Sequence, residues 1–140
     1  MSVLDNYDSY VFISHSSQDT SIVRAIKQAL KDTYIGPYFV ENEFHGVPPR
    51  DAIVEAIDEA KAVFVFVTPN ALAQETRDWI NFELGAATAL EKDIYAWIQK
   101  GLTSVPTPLA QVTTYRKFEQ NEHGIITLID EVGEIAGEFE

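Results

Sequence analysis

The residues whose types could do chemistry gather in Asp78-Trp-Ile-Asn-Phe-Glu-Leu-Gly-Ala-Ala-Thr-Ala-Leu90. Wound as a helix, this stretch puts Trp79, Phe82, Glu83, Ala86, Ala87 and Leu90 on one face, and only Glu83 is not apolar. A carboxylate among apolar neighbours costs several kcal/mol to ionise unless it meets a cation or lines a pocket. Two readings follow. Glu83 either sits at the edge of the stripe and reaches water or an Arg, or it is an acid working in a pocket. Trp79, one turn earlier, is core or pocket wall. A second cluster, Ser14-His-Ser-Ser-Gln-Asp19, offers hydroxyls, an imidazole and a carboxylate. It lacks the strained Gly-x-Ser-x-Gly turn, and adjacent side chains rarely face each other, so Ser14, His15 and Asp19 do not read as a nucleophilic triad. His15, His45 and His123 show no HxxxH or HxxE spacing, and no metal site is expected.

The remaining composition narrows the partners. The chain has 140 residues, 46% hydrophobic and 23% charged, the balance of one globular domain spanning 1–140. Ten Lys+Arg against 22 Asp+Glu leave a net charge of −12, which repels phosphate backbones and anionic lipid. Neither nucleic acid nor a membrane is an expected partner. With no Cys there is no disulfide, thiolate metal site or Cys nucleophile. The first residues have neither a basic nor an apolar signal region, and the longest apolar run, Ala62 to Val67, is far short of a membrane span. A cytoplasmic location is the expectation.

The elements that must position these groups can be read from periodicity. Tyr10–Ile13 and Ala62–Val67 are continuous apolar runs, typical of strands covered on both faces. Ile35–Val40, Ile94–Ile98 and Val112–Phe118 suit flanking or edge strands. Val23, Ile26 and Leu30 predict a helix capped at Asp19 or Thr20. Ile53, Ile57 and Ala60 predict another after Pro48-Pro49. A third helix is expected from about Ala71 to Glu91, broken near Gln74–Arg77, and a last one from Gly124 to about Val132. Beyond Lys117 lie seven acids and no Lys or Arg, which predicts a solvated helix face and a frayed tail. The alternation predicts an α/β fold: a flavodoxin-like open parallel five-stranded sheet, order 2-1-3-4-5, with helices on both faces and ligands at the C-terminal strand ends.

Phosphate-cradling motifs are missing. There is no GxxxxGK[ST] or GxGxxG, and the third strand exits through Val67-Thr-Pro-Asn70 without the acid a receiver domain needs. In their place the chain resembles a Toll/interleukin receptor (TIR) domain over nearly its whole length. Tyr7-Asp-Ser-Tyr-Val-Phe-Ile-Ser-His-Ser-Ser-Gln-Asp19 looks like that family's opening strand and loop. Glu41-Asn-Glu-Phe-His-Gly-Val-Pro-Pro-Arg-Asp51 sits where the family has its BB loop. Asp78-Trp79-x-x-x-Glu83-Leu84 is similar to the W-x-x-x-E signature of its catalytic members.

The resemblance implies an NAD+ glycohydrolase. Cleavage of the nicotinamide–ribose bond would give nicotinamide and ADP-ribose or a cyclic isomer, in a defence or stress signalling setting. By position, Glu83 is the implied catalytic residue and Trp79 its packing partner. Ser14, His15 and the loop to Asp19 would border ribose and phosphates, and Phe44 would close over the base. No resident cofactor is implied, since NAD+ is the substrate. The implied partners are other TIR domains, through self-association, and a regulatory protein. Ser16-Ser17 replace the basic residues of animal members, so phosphate recognition falls to backbone N–H groups, hydroxyls, a helix N-terminus or a neighbouring subunit. Two other classes fit the same resemblance: an interaction module without catalysis, and a sensor that binds the nucleotide without turnover.

Overall fold

The computed structural model describes residues 7, 9–43, 46, 48–102 and 114–140. In chain order the elements are β1 (Ser9–Ser14), α1 (Thr20–Leu30), β2 (Ile35–Tyr38), α2 (Val40–Glu43) and α3 (Arg50–Glu59). They continue as β3 (Val63–Val67), α4 (Gln74–Ala89), β4 (Ile94–Gln99), β5 (Thr114–Phe118) and α5 (Glu122–Gly137). The five strands form one sheet, all parallel, in the order β2-β1-β3-β4-β5. This is the flavodoxin-like arrangement expected from the alternation of elements.

Side chains on a strand alternate between faces, and β3 shows why its run has no polar member. Phe64 and Phe66 point into the layer under α1 and α5, with Val11, Ile13 and Trp97. Val63, Val65 and Val67 point into the opposite layer under α3 and α4, with Phe12, Ala96 and Ile98. Phe66 stacks on Trp97 at 5.0 Å between ring centroids. The edge strands are more tolerant. β2 carries Pro37, whose missing N–H an edge position accommodates. On β5, Tyr115 is exposed.

The helices differ from their expected limits for identifiable reasons. Asp19 occupies the N-cap position of α1 but makes no side-chain capping bond, because its carboxylate is engaged elsewhere. Helix α4 is unbroken from Gln74 and starts later than Ala71. Leu72 N–H bonds back to the Thr68 and Pro69 carbonyls, both at 3.2 Å, so residues 71–73 close a separate turn. Its core face is also rotated from the expected stripe. Ile80, Leu84 and Ala87 are buried with Glu83, whereas Trp79 and Phe82 are half-buried at the flank. The tail is not frayed up to Gly137: Ile135 and Ala136 are buried and carry α5 past Val132. Asn121 caps that helix by accepting from Gly124 N–H at 2.7 Å. Among the described residues no helix is long and apolar enough to cross a membrane.

Candidate active site

The strand order reverses between β1 and β3, and at such a switch point the loops leave opposite faces and open a crevice. A cleft of about 230 Å³ lies there, lined by His15 and Ser17 after β1, Val40 and Glu41 of α2, Gly46, Pro48, and Thr76, Trp79 and Glu83 of α4.

Glu83 is placed by the passage of α4 over the end of β1. The residue is only 7% exposed, and the buried Ser14 hydroxyl donates to Oε1 at 2.7 Å. Burial pushes its pKa up to about 7. Donation from Ser14 and the nearby His15 ring oppose the rise, and Glu41 adds to it. The carboxyl is therefore poised between its charged and neutral forms at neutral pH.

The rim is built differently. His15 Nε2 lies 2.9 Å from Glu41 Oε1, its Nδ1 lies 3.3 Å from the Ile13 carbonyl, and its ring meets the Phe39 ring edge-on at 5.3 Å. Burial works against the Glu41 charge. The hydrogen bond and charge of His15 outweigh it, with smaller help from Lys27, and hold the carboxyl below its ordinary range. This pair ties α2 to the loop after β1.

The residues singled out in the sequence thus separate into groups. Glu83, Trp79 and His15 line the cleft together. Ser14 lies behind it, in contact with the carboxyl group. Asp19 is not in the lining: it accepts from the Thr68 hydroxyl and from Asn70 Nδ2, the latter at 2.7 Å, and so joins the start of α1 to the exit of β3. Thr68 Oγ1 in turn accepts from Ala71 N–H at 3.1 Å, which fixes the turn leading into α4. Phe44 lies outside the described residues. The sequence singled out neither Val40 nor Thr76 as a lining residue, and Glu41 only as the first residue of the BB-loop stretch. Glu41 stands 26 positions from His15, and no local spacing could announce their pairing.

An open, doubly covered α/β sheet with a buried acid at its switch point defines the class. Solved structures show the same fold. A diflavin flavoprotein A3 from Nostoc sp. is 14% identical with a TM-score of 0.65, covering 94% of this chain and 92% of that one. The flavodoxin-like domain of a Synechococcus sp. protein is 14% identical with a TM-score of 0.62, covering 92% and 96%. A Clostridium botulinum CMP N-glycosidase is 14% identical with a TM-score of 0.58, covering 86% and 98%. No curated protein sequence matches. The family is narrower than the fold: the TIR domain profile matches residues 11–129, and the chain belongs to the TIR domain family. That family serves signalling and includes NAD+-cleaving enzymes, and its members commonly self-associate.

Proposed function

We propose that this TIR domain is an NAD+ glycohydrolase and that Glu83 is its catalytic residue. One observation carries the reading: a buried carboxyl, held by Ser14, faces a cleft whose wall is Trp79. The fold itself does not choose the chemistry, since similar architectures belong to a flavoprotein and to an N-glycosidase.

The chemistry suits a single acid. Nicotinamide is a cationic pyridinium in NAD+ and departs neutral, so no general acid has to protonate it. Positive charge then develops at the ribose anomeric carbon as an oxocarbenium ion. A carboxylate preorganised beside it stabilises that charge, and the low dielectric of a buried site strengthens the attraction. Trp79 offers a flat apolar face for the departing ring. Capture by water gives ADP-ribose and releases a proton; capture by a nucleophile of the same molecule gives a cyclic isomer.

Nicotinamide release by wild type and Glu83→Gln, followed by chromatography over a dilution series, tests the reading. The substitution is expected to lower the rate on the order of 10²–10³-fold, the magnitude of a preorganised electrostatic group. Specific activity is expected to rise with concentration, because self-association completes the site. Equal rates for the two proteins would remove Glu83 from the chemistry. A wild type that releases nothing even when concentrated would leave an interaction module or a sensor.

A further inference from the structure

Among the described residues, those lining the cleft that holds Glu83 bring two carboxyl groups and one His, and no Lys or Arg. At about 230 Å³ it falls below the roughly 300–1,000 Å³ usual for sites enclosing drug-sized ligands, and a dinucleotide is larger still. A second cleft of about 260 Å³ adjoins it, lined by Arg50, Glu75, Asp78, Trp79 and Phe82. Trp79 is common to both, so the two clefts meet at one indole.

Arg50, the first residue of α3, puts a cation in this second cleft. Its guanidinium carbon lies 4.7 Å from the Phe82 ring centroid and 6.0 Å from that of Trp79. The two rings meet edge to face at 5.9 Å and make a shelf beneath it. Among the described residues Arg50 makes no ion pair, although Glu75 and Asp78 share its cleft. A guanidinium held over aromatic rings can still offer an N–H fork at its edge, and such a fork matches two phosphate oxygens at once.

We infer that Arg50 is the diphosphate-reading residue of the substrate site, with the dinucleotide spanning both clefts across Trp79. The inference rests on the glycohydrolase reading for the identity of the substrate, but its geometry stands apart from Glu83. It also fills the gap left by Ser16-Ser17 in the first loop. The exposed Glu75 and Asp78 weaken the long-range pull on anions, so a phosphate must be presented in register by a bound nucleotide for the short-range fork to hold it.

Two measurements on the purified full chain test this. Wild type, Arg50→Gln and Arg50→Lys are titrated calorimetrically with ADP-ribose and with adenosine, which has no phosphate. In parallel, KM is determined for NAD+ and for nicotinamide riboside, which has the scissile bond but no diphosphate. For Arg50→Gln, ADP-ribose binding is expected to weaken on the order of tenfold or more, with KM for NAD+ rising to match. Adenosine and nicotinamide riboside are expected to show no such loss. Arg50→Lys, with the charge but without the fork, is expected to fall between. Equal ADP-ribose affinity in wild type and Arg50→Gln overturns the inference, as does an equal loss for adenosine or a wild type that binds no ADP-ribose. Selective ADP-ribose binding without cleavage of either substrate would sink the glycohydrolase reading and leave the Arg50 assignment standing.

Discussion

Ser14 Oγ and Glu83 Oε1 stand 2.7 Å apart although 69 positions separate them in the chain. The last residue of β1 and the middle of α4 thus meet at the floor of the cleft. The hydroxyl donates, which favours the charged form of the acid, and burial disfavours it.

Ser14→Ala removes that donation and leaves burial less opposed, so the Glu83 pKa is expected to rise above its value of about 7. A hydrogen bond to a charged group is worth about 1.5–3 kcal/mol, or one to two pKa units. The pH profile of nicotinamide release should move to the alkaline side by about one unit. Carbon-13 titration of the labelled Glu83 carboxyl gives the same shift without relying on turnover. An unmoved titration would show that the hydroxyl does not govern the acid.

Glu83 is also expected to limit stability. Its folded pKa of about 7 exceeds its ordinary value of 4.5, so the folded state holds the proton more tightly than the unfolded one. That contribution is fully present below about pH 4.5 and is lost as pH rises through 7. The difference between the limits is on the order of 3 kcal/mol. Glu83→Gln, which resembles the neutral acid, should therefore match wild type near pH 4 and exceed it at pH 8. Urea unfolding of both proteins at the two pH values checks this, and a stability gap independent of pH would contradict it.

Asp19 acts through structure. Replacing it with Asn substitutes an amide N–H₂ for one of the two oxygens that accept from Thr68 and Asn70, and so sets donor against donor. A loss of about 1–3 kcal/mol in unfolding free energy is expected. The turn before α4 hangs from the same network, so activity should fall as well. Unchanged stability would mean that water replaces the lost acceptor.

The sequence announced the parts of this molecule that depend on local pattern. Val63–Val67 could be recognised because a strand covered on both faces needs apolar residues at every position. Glu83 stood out because it interrupts an apolar face. The rotation of that face escaped notice because α4 is apolar over more than half its circumference, and only packing tells Ile80 and Leu84 from Trp79 and Phe82. Asp19 looked like a helix cap or a ligand group. Its use by Thr68 and Asn70 depends on β1 and β3 lying side by side, which spacing does not encode. The reach of α5 was hidden by its acids, since the burial of Ile135 counts for more than their exposure.

The floor and the rim of the cleft have separate origins. The carboxyl group and its hydroxyl donor are seated on a central strand and a long helix. The entrance is framed by a one-turn helix that an imidazole–carboxylate contact helps moor to the strand end. On the glycohydrolase reading, admission and bond-breaking fall to different stretches of chain. On that same reading, changes between β2 and α3 can retune which molecules enter while the Ser14–Glu83 pair stays in place, and a change at Glu41 also reaches the Glu83 charge.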